Sequence, residues 1–348
     1  MKQVYSDIIE FRGSHYELGK RQGQKFKNSI MMKNREKEWR KRKPRFVIDI
    51  KETKQAFQTY APQIWEELIG LQEALQWPIE KILQNFSGYR LDYVRSGCSI
   101  FTGKDYFVRN YDYNPKTYDG RLVLFQPTDG GLATIAPSSR VTGRMDGMNE
   151  KGLVMGYNFM HRKKPGVGFV CNMIGRMVLE NCETVEDAIH FLQEIPHRHS
   201  FSYTVFDKKG ETFVVEATPR GVKVRMSNLC TNHFELLTEE NRYHLDDSYR
   251  RMEIMEKDQG EITHPMEAFH LLNDPEKGVF SKEYHNWSGT IHTAIYFPKQ
   301  RKMGFALGSV KQPEIFDFEN WLKGETINKN QIDGELDTDL PFAQMEEH

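Results

Sequence analysis

"SGCSIFTGKDYFVRNYDY", residues 96–113, sets a glycine and a cysteine at the head of a β-prone run, turns at "TGKD", and returns through an alternating run that carries Arg109 and Asp112. Small and polar residues between two β-prone runs predict a hairpin. The return strand then lies antiparallel to the strand that holds Cys98 and brings both charged residues back beside it. A thiol becomes a potent nucleophile once a base removes its proton. Two readings of the stretch compete: an inert cysteine in an ordinary hairpin, or a nucleophile in front of which the chain is cut.

The second reading supplies its own base. Cleavage between Gly97 and Cys98 frees an α-amino group with a reference pKa of roughly 7.7–8, next to its own thiol. Glycine before the cysteine suits this, because attack on the preceding carbonyl needs an uncrowded peptide. None of the 12 histidines sits in a recognisable protease signature. Asp112 can accept from an α-ammonium, and Arg109 can favour the thiolate or hold the aspartate. Two more β runs, "MNEKGLVMGYNF" and "MSNLCTNHF", lead to Asn158 and Asn232. Side-chain amides at strand ends are suited to stabilise an oxyanion.

Whole-chain properties set the frame for that chemistry. The 348 residues are enough for two domains or one large sandwich with a helical addition, and 38% hydrophobic content supports a full core. A net charge of −1 gives no pull toward nucleic acid or anionic lipid. No stretch approaches the ~20 apolar residues of a membrane span. The amino terminus has no secretory pattern, and four cysteines in this length make no disulfide framework. A cytoplasmic protein with reduced thiols is expected, with no cofactor, no metal, no nucleic-acid or membrane partner, and room for a homo-oligomer.

Three zones divide the chain. Residues 1–97 read as a helical leader, with a capping box at Ser14 and Glu17 and helix starts at Pro62 and Pro78. Residues 98–322 alternate short β runs with a helical pair, where Thr184 and Asp187 form a second capping box, and with a polar helical zone at 238–283. Residues 323–348 are acidic and poor in large apolar residues, which predicts a loosely ordered extension. Strands, two helices, strands and helices again imply two antiparallel sheets with helices outside, an α+β architecture. The basic run "RKRKPR" at 40–45 reads as a solvated helix face. "HRH" at 197–199 lacks the carboxylates or cysteines of a metal site. Cys171 and Cys182 read as core residues, and Glu216 as an acceptor for backbone N–H groups at a sheet end.

The order of these elements resembles a known family. "GC", "GKDYFVRNYDY", "DGMNEKGLVMGYNF", "TNHF" and "DSYRRMEIM" look like the amino-terminal-nucleophile (Ntn) hydrolases of the choloylglycine hydrolase and penicillin acyltransferase group. The acyl-coenzyme A:6-aminopenicillanic acid acyltransferase branch is the closer likeness, since its members carry a leader, here with Gly13, Gly19 and Gly23 near its start. The resemblance runs over about residues 8 to 310 and implies a four-layer αββα sandwich. It implies Cys98 as nucleophile and new amino terminus, Arg109 and Asp112 beside it, and Asn158 and Asn232 as the oxyanion hole. Arg251, rather than Arg250, would match a late arginine near the aspartate. Gly97–Cys98 would be the processing site. The implied substrate is a small acyl amide or acyl thioester, acyl-coenzyme A among the candidates. His233 receives no role from it. The competing functions are a histidine-assisted cysteine hydrolase and an uncut sandwich that only binds.

Overall fold

The first strand of the protein belongs to its largest sheet. In the computed structural model, which describes residues 1–42, 48–90, 97–160, 163–310 and 312–347, strand β1 (Lys2–Gly13) is followed by helices α1 (His15–Phe26), α2 (Ile30–Arg42), α3 (Ile50–Tyr60), α4 (Pro62–Leu75) and α5 (Ile79–Phe86). Strands β2 (Gly97–Thr102), β3 (Phe107–Tyr113), β4 (Arg121–Pro127), β5 (Thr134–Ser139), β6 (Gly143–Arg144), β7 (Asp146–Asn149) and β8 (Val154–Phe159) come next. Helices α6 (Cys171–Asn181) and α7 (Val185–Glu194) precede β9 (Phe201–Phe206), β10 (Thr212–Thr218), β11 (Gly221–Met226) and β12 (Leu229–Cys230). The chain closes with α8 (Asp246–Gln259), α9 (Pro265–Asn273), β13 (Gly289–Phe297), β14 (Lys302–Leu307), β15 (Glu314–Asp317), α10 (Phe318–Leu322) and β16 (Gln331–Leu336).

Two sheets stack face to face. One runs β11-β10-β9-β8-β7-β5-β4-β1-β16 with β6 attached to β5, and the other runs β12-β2-β3-β13-β14-β15. Helices α6 and α7 cover the outer face of the larger sheet, and α8 and α9 cover that of the smaller. This is the expected αββα sandwich of the Ntn-hydrolase fold. The period of two sorts the side chains of the hairpin. Cys98, Ile100, Phe107 and Tyr111 belong to the core between the sheets, while Phe101 and Val108 pack with Met255, Phe269 and Leu272 under the helices.

Two boundaries differ from the sequence reading. The leader is not purely helical, because β1 pairs in parallel with β4 and antiparallel with β16, inside the ten-stranded sheet. Its β-branched and aromatic residues, Val4, Tyr5, Ile8, Ile9 and Phe11, favour a strand over the helix that follows. Residues 323–348 are not a loose extension either. Strand β16 needs only backbone groups to join β1, and it buries Ile332 and Leu336 from one face while Phe342 is buried further on. Composition misses this because the ladder bonds are independent of side-chain polarity. The basic run at 40–45 lies largely outside the described residues.

The leader helices add a further layer against α6. Helix α1 crosses α4 at backbone contact: a Cβ on Gly19 would lie 2.0 Å from the Glu67 carbonyl oxygen, and one on Gly70 would lie 2.1 Å from that of Tyr16. Helix α6 is consequently buried on all sides, from Cys171 through Glu180. Its charges are met from the leader. Arg176 pairs with Glu67 of α4 and with Glu180, and His15 of α1 lies 3.2 Å from Glu180 and 2.7 Å from Asp129. Cys171 and Cys182 are both in the core. Removing one member of a buried ion pair strands its partner's charge, so Glu67→Ala is expected to cost about 3–5 kcal/mol of folding stability. Denaturant unfolding of this variant against the wild type measures it, and a loss below about 1 kcal/mol would show that Glu180 alone satisfies Arg176.

Candidate functional site

Strand β2 presents Cys98 with each of its three polar groups held by a different residue. The Cys98 N–H donates to Asn232 Oδ1 at 2.8 Å. Its carbonyl oxygen accepts from Arg251 Nη1 at 2.7 Å and from Asn158 Nδ2 at 3.2 Å. Its Sγ lies 3.4 Å from Arg109 Nη2. The residue is buried, 1% exposed. Burial pushes the thiol up to about 11, with Arg109 acting against that rise and Asp112 adding to it. The buried thiol is therefore protonated at neutral pH.

Each partner is placed by its element. Arg109 pairs across from Ile100 and shares the inner face with Cys98, so its side chain crosses between the sheets. It passes over Gly156 of β8, where a Cβ would stand 2.8 Å from Arg109 Cδ. Asn158 closes the same strand, and its Nδ2 also donates to the carbonyls of Cys230 and Thr231 at 3.0 Å each. Asn232 follows β12, with Nδ2 donating to the Phe159 carbonyl at 3.0 Å and its own N–H donating to Ser248 Oγ at 2.7 Å. Arg251 comes from α8 on the outer face. It donates to Ser99 Oγ at 2.7 Å and Asn232 Oδ1 at 2.9 Å, and pairs with Asp247 at 2.8 Å. Arg250 instead reaches the Gly278 carbonyl and Asp247.

Arg109 and Asp112 are three residues apart on one strand, and the pleat sends them to opposite faces. Arg109 takes its carboxylate from Asp146 of β7, Nη1 to Oδ1 at 2.6 Å, both side chains fully buried. Asp112 faces the helical side opposite Gly97, where a Cβ on that glycine would lie 3.3 Å from Asp112 Oδ2. Thr290 Oγ1 donates to Asp112 Oδ1 at 2.7 Å. Burial raises the Asp112 carboxyl to about 6, with Arg251 and Thr290 restraining the rise.

Sequence reading did not find the groups behind Arg109. Asp146 also accepts from His292 Nε2 at 3.2 Å and from Tyr296 Oη, and Arg109 Nη2 donates to the Tyr157 carbonyl at 2.5 Å. A register shift between Thr290 and His292 lets Thr290 face Asp112 while His292 faces Asp146, although both numbers are even. The available signal was "HTAIY", which sets a histidine and a tyrosine on one strand face. His233 bonds Thr231 and Ser248 at 3.1 and 3.0 Å, and burial lowers it to about 4. Glu216 accepts from the N–H groups of Glu235, Leu236 and Leu237. His197 bonds the Leu192 carbonyl. Among the described residues there is no cluster of His, Cys, Asp and Glu fit for a metal ion, and no helix is long and apolar enough to cross a membrane.

Comparison with known proteins follows the same lines. A family model described as acyl-coenzyme A:6-aminopenicillanic acid acyl-transferase matches residues 101–312. The leader and the Gly97–Cys98 pair lie outside the matched stretch; Arg109, Asp112, Asn158, Asn232 and Arg251 lie within it. No curated protein sequence matches the chain. Among solved structures, a penicillin V acylase from Agrobacterium tumefaciens is similar at 14% identity over 63% of this chain and 84% of that one, with a TM-score of 0.42. A conjugated bile acid hydrolase from Clostridium perfringens is similar at 16% identity over 69% and 97%, TM-score 0.44. The Caenorhabditis elegans ortholog of N-acylethanolamine-hydrolyzing acid amidase is similar at 13% identity over 58% and 92%, TM-score 0.40.

The raised carboxyl of Asp112 has a consequence for stability. A folded-state pKa of about 6 against an unfolded value of roughly 3.9 means that the native state holds the extra proton between those values. Stability from this group is present below about pH 4 and is lost as pH rises toward 6. Asp112→Asn should therefore gain stability relative to wild type at pH 7 and none at pH 4. Unfolding curves of both proteins at the two pH values test this, and an equal difference at both would assign Asp112 an ordinary carboxyl.

Proposed function

Because the chain belongs to the acyl-coenzyme A:6-aminopenicillanic acid acyl-transferase family, we propose that it matures by cutting its own Gly97–Cys98 bond and then transfers acyl groups through Cys98. The observation that carries this reading is the separate fixation of the Cys98 N–H, carbonyl and thiol by Asn232, Arg251 and Arg109. Any buried residue must pair its N–H and carbonyl, but a structural cysteine in a core needs no guanidinium at its sulfur.

In maturation, Sγ attacks the Gly97 carbonyl carbon. The S–C bond forms, the Gly97–Cys98 C–N bond breaks, and the departing nitrogen takes up the thiol proton as a free α-amine. Water then hydrolyses the Gly97 thioester, which restores the thiol and leaves a Gly97 carboxylate. Asn232 Oδ1 already accepts from this nitrogen and would hold the amine after the cut. Asp112, placed beside Gly97 with a carboxyl that titrates at about 6, can carry protons in the same step.

In turnover, the α-amine of Cys98 is the base. It takes the thiol proton, and the thiolate attacks the carbonyl of an acyl amide or acyl thioester. Arg109 stabilises the thiolate. The side-chain amides of Asn158 and Asn232 are the oxyanion donors; in the uncut chain they are occupied by backbone carbonyls. The leaving amine or thiol departs with the proton, and the acyl group rests as a thioester on Cys98. Water completes a hydrolysis, and an amine completes an acyl transfer. The α-amine is favoured over a histidine base because His292 reaches the thiol only through Asp146 and Arg109, and His233 is bonded to Thr231 and Ser248.

Mass spectrometry of the purified protein under denaturing conditions tests the cut. Wild type should give fragments 1–97 and 98–348, and Cys98→Ala should give one chain. An intact wild type with full amide-hydrolysing activity would remove self-cleavage from the reading.

A further inference from the structure

Asp146 is the only carboxylate among the described residues that pairs with Arg109, the residue whose Nη2 lies 3.4 Å from Cys98 Sγ. The guanidinium is divided between two tasks. Nη1 is bonded to Asp146 Oδ1 at 2.6 Å, and Nη2 is shared by the Tyr157 carbonyl at 2.5 Å and Cys98 Sγ at 3.4 Å. A planar guanidinium held at one nitrogen by a carboxylate has the direction of its other nitrogen fixed as well. Asp146 is itself over-determined. His292 Nε2 and Tyr296 Oη donate to its two oxygens, and His292 Nδ1 lies 3.1 Å from Tyr118 Oη. The His292 ring is stacked on Tyr111 at 5.1 Å between centroids, and Tyr111 pairs directly across from Cys98. The groups facing Asp146 are thus Arg109, His292 and Tyr296, with Tyr118 behind His292, and the charged groups acting on the thiol are Arg109, Asp112 and Arg251.

We infer that Asp146 is a positioning residue for the nucleophile, aligning the Arg109 guanidinium on Cys98 Sγ and limiting how far that charge acidifies the thiol. This rests on the proposed role of Cys98. A buried arginine with no carboxylate would draw the thiolate form down in pH while losing its orientation, whereas the observed triad fixes both.

The probe is p-nitrophenyl acetate, whose attack by Sγ forms an acetyl thioester and releases one p-nitrophenolate per site. Cys98→Ala should show no burst; a burst retained there would overturn the nucleophile reading itself, independently of Asp146. With that control in place, Asp146→Asn should slow the burst at least tenfold at its high-pH plateau and move its pH midpoint down by about half a unit or more, because the carboxylate opposing Arg109 is gone. Tyr296→Phe, which removes a donor to the same carboxylate but leaves the Arg109 pair, should stay within threefold with an unmoved midpoint. The double variant Arg109→Met/Asp146→Asn guards against misfolding, since removing both members of a buried pair strands no charge, and Arg109→Met is the reference for it. If Asp146 works through Arg109, the double variant is no slower than Arg109→Met. An Asp146→Asn burst with wild-type rate and midpoint would overturn the inference. Additive losses in the double variant would do the same.

Discussion

The site depends on one buried charge, the Arg109 guanidinium between the two sheets. Bringing a cation there is costly unless partners meet its charge. The protein meets the cost with a carboxylate from β7, a carbonyl from β8 and a thiol from β2. The β2–β3 hairpin sets the thiol beside the arginine within one sheet, and the face-to-face stacking of the other sheet brings the β7 carboxylate and the β8 carbonyl onto the same side chain. Gly156 leaves the space for it to pass. The sandwich and the setting of Cys98 are therefore linked by the same group.

The leader is coupled to this core in two ways. Strand β1 carries ladders to β4 and β16, so it is an interior strand of the larger sheet. Glu67 and His15 complete the ion network of α6, which in turn covers that sheet. A break at residues 97/98 would remove one covalent link while leaving both ladders and the ion network in place. The burial of α6 on every side follows from this: it has a sheet beneath it and leader helices above.

Much of this was legible in the sequence, and the gaps have physical causes. The hairpin, both capping boxes and the buried character of Cys171 and Cys182 follow from local pattern, which a sequence carries directly. The approach of Arg109, Asn158, Asn232 and Arg251 to Cys98 was anticipated from their order along the chain and from resemblance. Asp146 was not, because its partner is 37 residues away and the contact is made across the inter-sheet space. Strand β16 was missed for a different reason: its pairing uses backbone groups, and its polar composition hides them.

The pleat explains why the site needs two carboxylates where the sequence suggested one. Arg109 and Asp112 lie on one strand with odd spacing, so the aspartate cannot neutralise the arginine and lie beside the Gly97–Cys98 bond as well. The fold divides the work. Asp146 neutralises the cation on the inner face, and Asp112 stays on the outer face beside Gly97. The register shift between Thr290 and His292 extends the division to β13, which supplies Thr290 to Asp112 and His292 to Asp146. Two carboxylates in two environments then take two different protonation ranges: Arg109 and the donors around it outweigh burial and hold Asp146 below its ordinary value, while burial lifts Asp112 to about 6. A carboxyl of that kind beside the Gly97–Cys98 bond can exchange a proton near neutrality, and one locked to a guanidinium cannot.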